Sequence, residues 1–456
     1  MEKAMDEERG DIVERVDDEL AAEECPGPGP QGAAVPLDPE VQRSLTWFQD
    51  QKLGVIFHWG LYAQAGIVES WQLSKEDEWA RKKGAWRPTL EQLRHDYWAL
   101  ADEFNPQAFC PECWSQACED AGFRYMLFTT KHHDGFSMYD TAFSDYKVTN
   151  GPCRTDVLRG VMDAFHKQGL ATGLYFSKPD WRCPFYWEPG SDPRGRYASY
   201  DPQEKAELWA RFNEFVKNQL VELCTNYGNQ RILWLDGGWV NHDNHEFLDM
   251  DDIVGEVRRL QPGLIVVDRT IGGAYENYVT PERKIPEVPP ERPWESNIPL
   301  AKNWGYVPRD VYKSFSEILE SVVRIVCLGG NALLGVGPKP DGTLPEEALG
   351  IMRRLGAWMR KYGEGIYGTQ GCPSLRVPGW QATVSDEAYH LFSFDAEPQA
   401  FCLAELAEAV DVGAASGVEC LTPGLRSQVD ANGGVRISGQ RDIEAEPCTV
   451  LRIERR

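Results

Sequence analysis

Short apolar runs separated by longer amphipathic segments recur through most of this chain. The runs are Leu53–Phe57, Tyr125–Thr129, Ala171–Phe176, Ile232–Leu235 and Leu264–Val267. Each is too short for an ordinary helix and is bounded by turn-forming or charged residues, so each predicts a buried strand. Between them, Thr155–Lys167 and Glu204–Tyr227 carry apolar residues at three- and four-residue spacing. That spacing predicts helices with one buried face. Strands that alternate with helices run parallel, because each connection must cross back over the sheet. Sustained over residues 39–368, the alternation predicts an α/β catalytic domain built as a (β/α)8-like TIM barrel. A doubly wound sheet is the alternative. It is disfavoured because no Gly-rich dinucleotide fingerprint follows the first strand.

The texture changes after Tyr367-Gly-Thr369. Helical spacing fades, and the alternating runs Ala382–Val384, Tyr389–Phe394, Val435–Ser438 and Thr449–Ile453 appear between Gly, Pro, Asn and Asp. Residues 369–456 are expected to form a small all-β sandwich. At the other end, residues 1–24 hold eleven acids and three bases, and Cys25-Pro-Gly-Pro-Gly-Pro30 breaks any helix. Residues 1–38 are expected to be an acidic, mobile tail and linker.

Composition narrows the partners. A formal net charge of −24 argues against nucleic acid and anionic membrane, both of which select basic surface. No apolar run reaches membrane-spanning length, and the first residues lack the apolar core of a secretory signal, so a cytoplasmic protein is expected. The twelve cysteines lack the spacing of a disulfide scaffold and are expected to be reduced, partly buried thiols. Cys110-Pro-Glu-Cys113 with Cys118 resembles half a zinc site, but no second Cys or His pair follows at the right distance. No metal and no cofactor are expected.

Function in a barrel collects at the C-terminal ends of the strands. Here the runs end in Phe57-His58-Trp59-Gly60, Thr130-Lys131-His132-His133-Asp134-Gly135, Tyr175-Phe176-Ser177 followed by Asp180-Trp181, Asp236-Gly237-Gly238-Trp239, and Asp268-Arg269. Asp236 taken singly could equally cap a following helix. Five polar strand ends are hard to explain as separate caps. Neutral His and Tyr suit hydroxyl groups, Trp suits the apolar face of a sugar, and Arg orients a carboxylate. The inventory fits a sugar pocket better than a phosphate pocket, since no Walker-type loop is present. Adjacent His132 and His133 reach one pocket only if they lie just beyond the strand, because strand neighbours point to opposite faces.

These strings resemble the retaining α-L-fucosidases of glycoside hydrolase family 29. The resemblance rests on Gly54-Val-Ile-Phe-His-Trp-Gly-Leu-Tyr62, Phe104-Asn-Pro, Thr129-Thr-Lys-His-His-Asp-Gly-Phe136 and Trp234-Leu-Asp-Gly-Gly-Trp239. It continues through Trp304-Gly-Tyr306, Gly329-Gly-Asn-Ala-Leu-Leu-Gly-Val-Gly-Pro338, Asp341-Gly-Thr343 and Gly365-Ile-Tyr-Gly-Thr369. It covers residues 45 to 369, and the C-terminal region only in position and class. It implies a metal-free double displacement on a fucosylated oligosaccharide or glycoconjugate. Asp236 matches the nucleophile. The acid/base varies in position across the family. Glu282 in Tyr278-Val-Thr-Pro-Glu282 is the first candidate and Glu295 in Pro293-Trp-Glu295 the second. His58, Glu69, Trp71, His132, His133, Tyr175, Arg269 and Trp304 match sugar-binding positions, with Trp304 expected against the methyl at C5. Two departures stand out: Asp134 where Glu is commoner, and a divergent stretch from Val267 to Lys302. The competing readings are an inactive fucose-binding protein and a same-fold retaining glycosidase for a sugar such as an α-L-galactoside. Linkage preference and oligomeric state are set outside these motifs.

Overall fold

A computed structural model describes residues 37–455 except 83, 194, 376, 404–405 and 407–416. The tail expected over residues 1–38 lies outside the described residues up to position 36. Seven parallel strands form one curled sheet: β1 (Leu53–Phe57), β2 (Tyr125–Lys131), β3 (Ala171–Ser177), β4 (Ile232–Asp236), β5 (Ile265–Asp268), β6 (Glu295–Pro299) and β7 (Asn331–Val336). Their spatial order is β5-β4-β3-β2-β1-β7-β6. The helices α1 (Pro39–Gln51), α2 (Pro111–Ala121), α3 (Val157–Lys167), α4 (Ala206–Asn226), α5 (Met250–Leu260), α6 (Phe315–Cys327) and α7 (Glu346–Tyr362) include the long crossovers between them. This is the TIM-like barrel that the alternation predicts.

The gap between the sheet edges β5 and β6 is filled by an irregular segment, residues 276–283. It makes isolated bridges at Val267–Glu276, Val279–Trp294 and Glu282–Asn297. Asn277 donates its N–H to Val266 O at 2.9 Å, and Glu295 donates its N–H to Val279 O at 2.9 Å. The segment thus stands where an eighth strand would stand.

Helix α1 closes the bottom of the barrel. Asp38 caps it by accepting the Glu40 N–H at 2.7 Å. Its buried stripe of Val41, Leu45 and Phe48 packs with Tyr125, Trp234, Tyr278 and Leu333 in one apolar cluster. The Phe48 ring stacks on Tyr278 with centroids 4.3 Å apart. The opposite end stays open to polar groups, so the site can form only at the top.

The C-terminal region is all-β. Strands β8 (Gln370–Gly371), β9 (Gln381–Val384), β10 (Ala388–Ser393), β12 (Val418–Cys420) and β15 (Thr449–Glu454) make one antiparallel sheet. A second comprises β11 (Phe401–Cys402), β13 (Leu425–Val429) and β14 (Gly434–Gly439). Trp380, Leu391, Phe401, Val435 and Leu451 fill one core shared by the two sheets.

Two details depart from the sequence reading. Cys110 and Cys113 form a disulfide rather than two reduced thiols. Cys110 caps α2, and the first helical turn brings the two residues to a Cα separation of 5.2 Å, which suits a bridge. Cys118 is buried further along the helix and free. Strands β6 and β7 are the other departure: neither is among the expected runs, and of the two only β6, Glu295-Ser-Asn-Ile-Pro299, is polar in sequence. Among the described residues no helix is long and apolar enough to cross a membrane.

Candidate active site

Strand ends, loops and the closing segment converge on one pocket at the top of the barrel. His58 follows β1, His132 and His133 follow β2, Tyr175 lies in β3, Asp236 ends β4 and Arg269 follows β5. Glu282 comes from the closing segment, Trp304 from the loop after β6, and Glu69 and Trp71 from the loop after β1. Nine of these ten residues line the pocket directly: His58, Glu69, Trp71, His132, Tyr175, Asp236, Arg269, Glu282 and Trp304, with Trp234 beside them. His133 stands behind, with Nε2 3.8 Å from Asp236 Oδ2. Both histidines sit beyond the last β2 residue, Lys131, which is how neighbours escape the alternation of the strand.

Arg269 organises the acids. Its Nη1 donates to Asp236 Oδ1 at 2.8 Å, its Nη2 to Glu282 Oε2 at 2.6 Å, and its Nε to Thr280 Oγ1 at 3.1 Å. One guanidinium therefore spans both carboxyl groups, in the fork geometry that arginine favours. The Tyr175 hydroxyl donates to the other Asp236 oxygen. Burial pushes the Asp236 carboxyl up, but Arg269, His133 and the Tyr175 hydroxyl together outweigh it and hold the group below the usual carboxylate range. Trp304 Nε1 donates to Glu282 Oε1 at 2.7 Å. After Asp236 the chain turns at once: Gly237 has φ of 90°, and a Cβ there would lie 2.3 Å from Pro179 Cδ.

The remaining polar groups are neutral or close to it. Burial lowers His132 to about 4, and it lowers His58 and His133 well below the ordinary imidazole value, helped by His132 beside each. His132 Nδ1 is 2.6 Å from Ser70 Oγ, and His133 Nδ1 is 2.7 Å from Ser177 Oγ. His58 Nδ1 and His133 Nε2 are buried without a hydrogen-bond partner, which carries a desolvation cost. Burial pushes the Glu69 carboxyl up to about 7, although it accepts the Gly305 N–H at 2.7 Å. The indole of Trp304 stacks against His58 with centroids 5.1 Å apart.

Donor atoms of His132, His133 and Asp236 lie within 4.8 Å of one another, which is the spacing of a metal site. Both Asp236 oxygens are already engaged by Arg269 and Tyr175, and the guanidinium supplies the positive charge a metal would bring. The set fits a metal-free site better than a metal centre.

The structure separates the two acid/base candidates. Glu295 is fully buried at the start of β6, where it accepts from Tyr125 OH at 2.6 Å and Tyr278 OH at 3.2 Å. It lies beneath the pocket beside the α1 cluster, and burial pushes its carboxyl up to about 7. Asn297, two residues further up β6, is the residue of that strand that lines the pocket. Sequence reasoning passed over Asn297, Ile56 and Trp234. Ile56 and Trp234 precede His58 and Asp236 by two residues, so period-two alternation carries the signal that they share a face.

A family model described as alpha-L-fucosidase matches residues 34–364. The tissue alpha-L-fucosidase of Homo sapiens is 28% identical over 346 residues, covering 71% of this chain and 69% of that protein. A putative alpha-L-fucosidase of Caenorhabditis elegans is 27% identical over 354 residues, covering 71% and 67%. Among solved structures, alpha-L-fucosidase isoenzyme 1 from Paenibacillus thiaminolyticus superposes with a TM-score of 0.75 at 28% identity, covering 91% of this chain and 99% of that one. A Bacteroides thetaiotaomicron alpha-L-fucosidase, solved as a trapped covalent intermediate, gives a TM-score of 0.72 at 22% identity and bears on the fold. With its family model matched across nearly the whole barrel, the chain belongs to the alpha-L-fucosidase family.

Proposed function

We propose that this protein is an exo-acting α-L-fucosidase that releases terminal α-linked L-fucose from glycans or glycoconjugates through a covalent fucosyl-enzyme, with retention. The observation that carries the reading is the single guanidinium of Arg269 spanning Asp236 and Glu282 in a pocket closed at its floor. Retaining hydrolysis needs two carboxyl groups about 5–5.5 Å apart, and a shared arginine fork favours such closeness. Asp236 is held as a carboxylate, the form that attacks an anomeric carbon. Glu282 then protonates the departing oxygen. Once Asp236 is esterified its negative charge is gone and Arg269 is left to Glu282, which favours the carboxylate that takes a proton from water. Neutral His58, His132 and His133 meet sugar hydroxyls, and Trp304 packs on the methyl at C5.

The experiment is hydrolysis of an aryl α-L-fucoside by wild type and D236N, with an aryl α-L-galactoside beside it. Fucoside turnover that is lost in D236N supports both reaction and nucleophile. An inert, folded wild type sinks the reading, and preference for the galactoside reassigns the sugar.

A further inference from the structure

Two lysine–aspartate pairs are buried behind the pocket, Lys131–Asp180 at 2.7 Å and Lys178–Asp268. A buried ion pair contributes little to stability, and apolar replacement of both partners is often neutral. Its location therefore carries more information than its presence. Lys178 follows the last residue of β3 and is 1% exposed. Its N–H donates to the main-chain oxygen of Asp236 at 2.9 Å. Its ammonium donates to Asp268 Oδ1 and lies 3.4 Å from Val240 O, in the turn after Gly237-Gly238.

Asp268 ends β5, and the next residue is Arg269. In the ladders Ser177 stands opposite Asp236, and Leu235 opposite Asp268. The Lys178 side chain thus crosses over the end of β4, from β3 to β5, and holds the turn beyond the nucleophile on its way. The three chain ends it joins are those whose relative placement sets the contact between Arg269 and Asp236. The other acids within electrostatic range, Glu246 and Glu276, are themselves buried and hydrogen-bonded to Ala198 N and Thr270 N.

We propose that Lys178 and Asp268 are positioning residues, whose ion pair across the end of β4 fixes the guanidinium of Arg269 against Asp236. This rests on the assignment of Asp236 as nucleophile. The test compares wild type, K178M, D268N and the double variant K178M/D268N on an aryl α-L-fucoside, with thermal unfolding measured for each. Misplacing a reacting group by about 1 Å costs roughly 10²-fold, so kcat of K178M should fall by about that factor. KM should stay within about threefold, because His58, His132 and Trp304 are carried by β1, β2 and the loop after β6, which the pair does not touch. The double variant leaves no uncompensated buried charge, so it should unfold near the wild-type temperature yet keep the low kcat. A double variant with wild-type kcat shows that the pair only balances charge, and overturns the proposal. A K178M defect confined to KM does the same. Should K178M fail to fold, the double variant decides alone. A wild type that is inert on the fucoside removes the nucleophile assignment, and the proposal falls with it.

Discussion

Changing Gly335 to alanine should slow turnover while leaving the β7 ladder in place. Gly335 lies in β7 with a backbone conformation outside the left-handed region, so alanine is not excluded by φ. An added Cβ would sit 2.5 Å from Cε3 and 2.6 Å from Cζ3 of Trp304, and 3.1 Å from Cα of Pro299. Carbon atoms pack at about 3.5–4.0 Å, so something must retreat by about 1 Å. Pro299 is fixed opposite Gly335 in the β6–β7 ladder, which leaves the indole to move. That indole donates to Glu282 at 2.7 Å and stacks on His58. A hydrogen bond to a charged group is worth about 1.5–3 kcal/mol, and one of that strength made in the transition state is worth about 10- to 10²-fold in rate. Overpacking itself costs about 1–3 kcal/mol of stability, so the melting temperature should also fall and activity should be read well below it. The assay is kcat and kcat/KM on aryl α-L-fucosides of graded leaving-group ability. The deficit should grow as the leaving group worsens, because Glu282 then matters more. G350A is the control: a Cβ at Gly350 meets only Arg353 Nη2 at 4.0 Å, and its kinetics should match wild type. Folded G335A with wild-type kcat on every substrate would refute the link from Gly335 through Trp304 to Glu282.

Further outcomes follow from the same geometry. E282Q should lose about 10²–10⁴-fold on substrates with poor leaving groups and far less on activated ones; an E282Q defect independent of the leaving group would remove it as acid/base. E295Q should keep wild-type leaving-group dependence, because Glu295 sits under the pocket; the opposite result would restore it as a candidate. Burial raises Glu69, Glu295 and Asp134 to about 7 and Glu246 to about 8, well above the ordinary carboxylate range. For a raised carboxyl the stabilising contribution is fully present below the unfolded pKa and is lost as pH climbs through the folded one. The depressed histidines act in the opposite sense up to about pH 6.5, so melting temperature should decline from about pH 6.5 to about pH 8, and less steeply in E295Q; a flat or rising wild-type profile over that window would contradict this account. A chelator should leave fucoside turnover unchanged, and loss of activity restored by added metal would reinstate a centre at His132, His133 and Asp236.

Much of the barrel was legible because its strands are buried on both faces and read as apolar runs. β4 is the plainest case: Ile232 to Leu235 is apolar, and the acid and two glycines that follow mark the strand end and the turn. β6 was not legible, because Glu295-Ser-Asn-Ile-Pro299 is a polar string that is buried only by its surroundings, with Glu295 between two tyrosine hydroxyls and Asn297 in the pocket wall. Glu295 was offered by the resemblance through Pro293-Trp-Glu295, and a motif carries no information on how deep along its strand the carboxyl sits. Asp236 and Arg269 could both be picked from their strand ends, but that one guanidinium spans Asp236 and Glu282 together is recorded by no local pattern. The Cys110–Cys113 disulfide escaped notice because spacing by itself does not distinguish a bridge from a metal pair or free thiols.

The wall of this barrel is closed by parallel ladders, with a bulge in β2 between Thr129 and Lys131, except at one seam. Elsewhere a one-residue slip would turn every side chain to the wrong face, so strand length and register are locked. Residues 276–283 are held by scattered bridges rather than a ladder, and they carry Glu282. Residues can be inserted or lost along that seam without re-registering a neighbour. The distance in sequence from nucleophile to proton donor is thus free to drift while their distance in space is kept by Arg269. The seam is where a transplanted carboxyl would meet least resistance.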